Sequence, residues 1–170
     1  MKFVIKLNIW VVINIDKDFH TVKGYEMINL NKNLLTPSME DYLEMIYRCS
    51  LENGYIRLNI IAQKLNVKDS SASKMMKKLG ELSLINYEKY GLISLTNKGR
   101  ELGLFLYERH NTIEEFLENI TKKNNSLLET ELIEHVISID TVKALKTFNE
   151  FLKVYPDILD KYIEFKNNNI

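Results

Sequence analysis

Apolar residues at Met39, Tyr42, Leu43, Ile46 and Tyr47 recur three and four positions apart, the spacing that lines one face of an α-helix. Thr36-Pro37 ahead of them offers an N-cap and a proline at the first helical position, where its missing N–H costs nothing. Asn53-Gly54 offers a stop. A second, shorter helix is expected over LNIIAQKLNV, Leu58 to Val67, with Ile61, Ala62 and Leu65 inward. A third is expected over DSSASKMMKKLGEL, capped by Asp69 or Ser70 and packed through Met75, Met76 and Leu79. Two short helices joined by a tight break make a helix-turn-helix. LINYEKYGLISLT then alternates apolar and polar residues around Gly91, as a β-hairpin does, and a helix-turn-helix followed by a hairpin is a winged helix.

The second half keeps the helical period throughout. A long helix is expected from Asn97 through Ile120, with its stripe at Leu102, Leu106, Ile113 and Leu117 and His110 close beside it. Asn124-Asn125-Ser126 breaks it from a helix over ETELIEHV, and a last amphipathic helix uses Val142, Leu145, Phe148, Phe151 and Leu152. The expected fold is therefore mainly α, an N-terminal winged helix-turn-helix lobe over 35–96 followed by an all-helical lobe over 97–155. The apolar residues of that second lobe exceed what one small lobe needs, and an isologous homodimer is the economical outlet. The tail over 156–170, which runs through Asn167-Asn168-Asn169, is expected to pack weakly. An N-terminal extension, 1–34, receives no role. Within it FVIKLNIWVVINI, Phe3 to Ile15, reads as a strand or a short buried segment. It is short of the roughly 20 apolar residues of a bilayer span, and Asp16-Lys17-Asp18 leaves no signal-peptide cleavage site. It is either an accessory strand or an upstream extension ahead of a start at Met27.

Charge narrows the options. The 23 basic and 23 acidic residues cancel, so no broadly basic coat is present and any contact to nucleic acid must come from a local cluster. One such cluster sits on the third helix. Ser70, Ser71, Ser73, Lys74, Lys77 and Lys78 face away from its methionine side, with Lys64 and Lys68 just upstream. Serines near a helix N-terminus reach base edges or phosphates, and lysines behind them neutralise phosphates, which suits a major groove of double-stranded DNA. A lysine-rich solvated helix would look the same in isolation, and winged helices also serve as protein-interaction modules; the helix before and the hairpin after favour DNA. The single cysteine, Cys49, rules out an intrachain disulfide and a zinc site built on several thiolates, and fits a reducing cytoplasm.

Three helices also carry acid or imidazole. Glu131, Glu134 and His135 share a helical face in ETELIEHV, either as a cation-binding patch or as a solvated surface. Asp41 and Glu44, three apart, lie on the face of the first helix opposite its apolar stripe, and His110 lies on the long helix. If these converge, four carboxylates and two neutral imidazoles supply four negative charges, which two divalent ions balance. Periodicity does not show convergence. A two-metal hydrolase uses the same ligand types, although no nucleophile motif is present. A winged-helix regulator sensing a small organic ligand in its core would leave these residues on the surface.

TPSMEDYLEMIY at 36–47, then KLNVKDSSASKMMKKL, LINYEKYGLISLTNKGRELG, YERHNTIEEFL and ETELIEH, run in order between about Leu35 and Leu152. Together they resemble the manganese transport regulators, a branch of the diphtheria-toxin-repressor family. The resemblance implies a cytoplasmic, dimeric winged-helix repressor that binds two Mn²⁺ per subunit and then the operators of manganese uptake genes. It implies neither an enzyme nor a small-molecule substrate, and no membrane association. Asp41, Glu44, His110, Glu131, Glu134 and His135 each match a metal-ligand position of that branch. Iron-responsive relatives typically carry Met and Cys at the positions matching Asp41 and Glu131, softer ligands than the carboxylates here. Manganese is thus the expected metal, with Fe²⁺, Co²⁺ and Cd²⁺ as candidate further activators and an iron-responsive regulator as the alternative. The chain departs from the branch at the wing tip, where Gly91-Leu92 lacks the basic residue that commonly precedes the glycine.

Overall fold

The computed structural model describes residues 35–88, 91–122 and 126–169. The strand-like Phe3–Ile15 stretch lies outside them. The chain builds α1 (Pro37–Asn53), β1 (Tyr55–Arg57), α2 (Leu58–Lys64), α3 (Asp69–Glu81), β2 (Ile85–Tyr87), β3 (Leu92–Leu95), α4 (Asn97–Thr121), α5 (Leu127–Ile133), α6 (Ile139–Val154) and α7 (Pro156–Asn169).

Helix α1 starts where proline predicts. Thr36 holds the extended N-cap backbone, but its side chain makes no cap bond. Gly54 closes the helix with φ +74°, a left-handed conformation that glycine adopts without a Cβ penalty. Helix α3 starts one residue earlier than expected. Lys68 is its N-cap, and Asp69 sits in the first turn, where a carboxylate complements the positive end of the helix dipole.

The winged-helix core gathers Leu43 and Ile46 of α1, Ile61 of α2, Ala72, Met76 and Leu79 of α3, and Leu84 and Ile93 of the wing, all close to fully buried. The wing strands pair antiparallel, Ile85 opposite Leu95 and Tyr87 opposite Ile93. Strand β1, which the sequence reading did not anticipate, adds to the other side of β3 with Ile56 opposite Ile93, giving the order β1-β3-β2.

The wing is fastened to the long helix. Thr96 caps α4 by accepting from the Gly99 amide at 3.0 Å, and its hydroxyl donates to the Ser83 carbonyl at 2.8 Å. A Cβ on Gly99 would stand 1.8 Å from the Leu84 carbonyl oxygen, so only glycine allows α4 to start this close to the wing. Further along, a Cβ on Gly103 would meet the Tyr47 Cβ at 2.8 Å, which marks a close crossing of α4 over α1. Helix α1 therefore packs one face into the winged-helix core and turns another towards α4.

Helix α4 buries Leu102, Leu106 and Ile113, as the stripe predicts, while Leu117 is only half-buried. The expectations for ETELIEHV and for the α6 stripe need correction, whereas the segment after Pro156 packs weakly, as expected. The ETELIEHV segment is helical only to Ile133; Glu134 and His135 lie in the turn that follows. The segment after Pro156 is a regular helix, though it buries no residue fully; Lys166 donates from it to the Ile120 carbonyl at 3.0 Å. In α6, only Val142 and Leu152 of the expected stripe are buried, while Phe148 and Phe151 remain exposed in a ring ladder that runs from Phe116 to Tyr155. Among the described residues, no helix is long and apolar enough to cross a membrane.

Candidate metal centre and DNA-facing helix

Three chain segments meet on the far side of α1. Asp41 and Glu44 come from α1, His110 from the middle of α4, and Glu134 and His135 from the turn after α5. Asp41 and Glu44 lie on the face of α1 opposite its apolar stripe, as their spacing predicts. Their face is opposite the winged-helix core, yet α4 and the α5 turn cover it, and Glu44 is buried.

The ligand-type atoms form two groups, Asp41–Glu134–His135 and Glu44–His110–Glu134, each with all three atoms within 4.8 Å of one another. Glu134, only 1% exposed, belongs to both. Its Oε2 stands 3.0 Å from His110 Nδ1 and its Oε1 3.6 Å from His135 Nε2. His110 Nδ1 also faces Glu44 Oε1 at 3.9 Å and Glu131 Oε1 at 3.7 Å. His135 Nε2 stands 2.9 Å from Asp41 Oδ1. Five of the six expected ligands therefore converge directly. Glu131 stands at the rim, its side chain 47% exposed.

The electrostatics fit a place built for cations. Burial pushes the Glu44 carboxyl up to about 6, an effect that Arg48 opposes and neighbouring Glu134 reinforces. Burial, and then Glu134, also raise Glu131. The Asp41 and Glu40 carboxylates on either side of the His135 ring lift it to about 10. Burial works against protonation of His110, but the Glu134 and Glu44 carboxylates outweigh it and raise that ring too. Protons are thus held where positive charge is wanted. Buried Glu134 Oε1 and His110 Nε2 lack a hydrogen-bond partner among the described residues, which an enclosed polar group rarely tolerates unless something further binds there. Carboxylate oxygens with imidazole nitrogens suit a hard or borderline divalent ion, so the residues present fit the group.

Three participants were missed in the sequence. Glu40 Oε2 lies 2.8 Å from His135 Nδ1, and Arg109 Nη2 donates to the same oxygen at 2.9 Å. Burial works against the charge of Glu40, but His135 and Arg109 beside it hold its carboxyl below the usual range. Arg48 is a third, pairing through Nε with Glu44 Oε1 at 2.8 Å and lying over the Tyr107 ring at 5.2 Å.

On α3, Ser70, Ser71, Lys74, Lys77 and Lys78 are exposed, as is Lys68 at its cap. Ser73 is half-buried, its Oγ 3.4 Å from the Tyr87 hydroxyl of the wing. The helix is anchored behind by Ala72, Met76 and Leu79, so the lysines project away from the core.

Comparison with known proteins adds an independent line. Residues 34–92 match the family model described as iron dependent repressor, N-terminal DNA binding domain. Residues 96–162 match the one described as iron dependent repressor, metal binding and dimerisation domain. The chain is 40% identical over 119 residues to the HTH-type transcriptional regulator MntR of Oceanobacillus iheyensis, covering 69% of this chain and 81% of that one. It is 44% identical over 111 residues to MntR of Geobacillus kaustophilus, covering 65% and 79%. Among solved structures it is similar to the manganese regulator SloR, with a TM-score of 0.60 and 35% identity over 69% of this chain. The chain spans about half the length of such solved relatives, 55% in that case. With both lobes matched in order, the chain belongs to the iron-dependent repressor family of metal-dependent, DNA-binding transcriptional regulators.

Proposed function

We propose that this protein is a Mn²⁺-activated repressor that takes up two ions per subunit and, as a homodimer, binds operator DNA at manganese uptake genes in the cytoplasm. The observation that carries the reading is the shared Glu134, which makes two adjacent three-ligand groups out of residues from α1, α4 and the α5 turn. Hard carboxylate donors at Asp41 and Glu131, in place of sulfur ligands, favour manganese over iron. Relatives named as manganese regulators support the same choice.

Asp41 and Glu44 ride on α1, whose other face is part of the winged-helix core, and His110, Glu134 and His135 belong to the helical lobe. Without cations, Glu44, Glu131 and Glu134 repel one another across this junction, a force felt strongly where water is excluded. Bound divalent ions supply the positive charge that turns this repulsion into cross-linking. The residues then hold α1, and with it α3, at one spacing relative to the dimer axis, which sets the two recognition helices for two operator half-sites. By linkage, DNA binding raises metal affinity equally. Dimer contacts fall to the exposed apolar residues of the helical lobe, Leu128, Leu132 and Val136 from the α5 region and Phe148 and Phe151 from α6. On α3, Ser70, Ser71 and Ser73 address bases or phosphates, and Lys68, Lys74, Lys77 and Lys78 neutralise phosphates.

The test is selection from a random duplex library with the full chain and Mn²⁺, followed by anisotropy titrations of the selected duplex. Mn²⁺, Fe²⁺ under anaerobic conditions, Co²⁺, Cd²⁺ and Mg²⁺ are compared. Mn²⁺-dependent binding, abolished by a chelator, is expected. Metal-independent binding would return the protein to a regulator of another kind, and activation by Fe²⁺ alone would reassign it as an iron sensor.

A further inference from the structure

We propose that Glu40, backed by Arg109, is a positioning residue that fixes which nitrogen of His135 faces the metal; this rests on the two-ion reading above. His135 is held between two successive residues of α1, with Glu40 Oε2 2.8 Å from Nδ1 and Asp41 Oδ1 2.9 Å from Nε2. A glutamate carboxylate only accepts hydrogen bonds, so the nitrogen facing Glu40 carries a proton. With Nδ1 held by Glu40, Nε2 is the nitrogen left to face a metal, and it points at Asp41 and Glu134.

Arg109 makes the arrangement one-way. Its side chain is buried, and Nη2 donates to the same Glu40 oxygen at 2.9 Å. Arg109 Nη2 also lies 3.4 Å from His135 Nδ1. The guanidinium secures the negative charge of Glu40 against burial and prevents the carboxylate from swinging into the metal groups, to which it does not belong. A metal held at Nε2 would complete a metal–imidazole–carboxylate chain with an arginine at its far end, and outer carboxylates of this kind set ring orientation and ligand basicity. His110 shows the contrast. It faces the cluster through Nδ1, and its Nε2 stands 3.8 Å from Glu114 Oε2, outside hydrogen-bond reach. The two histidines thus present different nitrogens, and only His135 has its outer partner in contact.

The same three side chains would look similar if Glu40 and Arg109 merely tied α1 to α4, so the test must separate orientation from tethering. Glu40→Ala removes both the acceptor and the ion pair. Glu40→Gln removes the charge but keeps a carbonyl oxygen, which Arg109 and the Nδ1 proton both turn towards themselves. Two measurements on the full chain are needed. In metal-free protein, ¹⁵N-edited NMR reads the Nδ1 proton of His135, expected to be protected in the parent and in Glu40→Gln and lost to exchange in Glu40→Ala. Stepwise Mn²⁺ titration by EPR then reads affinity at each position. Glu40→Ala should weaken the His135 position about 10- to 100-fold and spare the Glu44–His110 position, with Glu40→Gln recovering most of the loss. Equal losses in Glu40→Gln and Glu40→Ala, or equal weakening of both positions, would make the pair a tether and overturn the proposal. A parent chain that binds no Mn²⁺ while its Nδ1 proton is protected would instead sink the two-ion reading, so the two failures are distinguishable.

Discussion

Replacing Glu44 with glutamine should stabilise the metal-free protein while impairing its function. In the folded chain the Glu44 carboxyl is raised from an ordinary 4.5 to about 6, chiefly by burial. At about 1.4 kcal/mol for each tenfold change in acidity, that rise weakens the folded, ionised state by ~2 kcal/mol. The sign follows from linkage. Below about pH 4.5 folded and unfolded chains both hold the proton and there is no cost. The cost grows as the pH climbs towards about 6 and stays constant above it. Glutamine mimics the protonated carboxyl and keeps an oxygen for Arg48, so the variant escapes the cost at every pH. Urea unfolding in chelator, compared near neutral pH and near about pH 4, should show the variant more stable by up to ~2 kcal/mol at the first and equal at the second. Added Mn²⁺ should stabilise the parent more than the variant. A variant no more stable than the parent at neutral pH, or a gap that does not close in acid, would refute the reasoning.

Because Asp41 and Glu40 lift His135 to about 10, its Nε2 proton must leave when a metal takes that nitrogen. Calorimetry of Mn²⁺ binding near neutral pH, repeated in buffers of different ionisation enthalpy, should therefore report about one proton released at the His135 position; no release would place His135 outside the ligand set. Glu131→Cys should weaken the Mn²⁺ response and shift activation towards softer ions, and unchanged two-ion Mn²⁺ binding with normal repression would remove Glu131 from the site. Lys74→Ala and Lys77→Ala should each lower the salt-dependence slope of DNA binding by about one, with similar loss across sequences, whereas an effect confined to one base position would assign that lysine to base readout. Gly99→Ala, whose Cβ would stand 1.8 Å from the Leu84 carbonyl oxygen, should destabilise by about 1–3 kcal/mol or more in denaturant unfolding, and an unaffected variant would mean that α4 and the wing separate freely.

The regular helices were legible because their apolar stripes face a core that wants nothing else. Met39, Tyr42, Leu43, Ile46 and Tyr47 are all buried, as their spacing predicts. Strand β1 was not legible, since three residues of which only Ile56 is buried carry too little period to register. Nor could periodicity tell a solvated acidic face from one turned towards a polar centre, so Asp41 and Glu44 were tied to a metal only by the family resemblance, and α4 and the α5 turn cover them in the fold. The same limit hid Glu40 and Arg109: they stand 69 positions apart in sequence, and nothing local connects them. Phe148 and Phe151 read as core because they are apolar and in phase; they lie exposed on a single chain, consistent with a face meant for a second copy.

Helix α1 has consequences for how such a sensor can be retuned. It is a wall of the winged-helix core and also the carrier of Asp41 and Glu44, two of the proposed ligands, and only about 10 Å of helix diameter separates the two roles. A methyl group lost at Leu43 or Ile46 lets the helix resettle, and the carboxylates on its opposite side move with it. Thresholds of metal response can therefore drift through hydrophobic substitutions that alter no ligand, and an engineer seeking a more or less sensitive switch has the oily side of this helix as a dial.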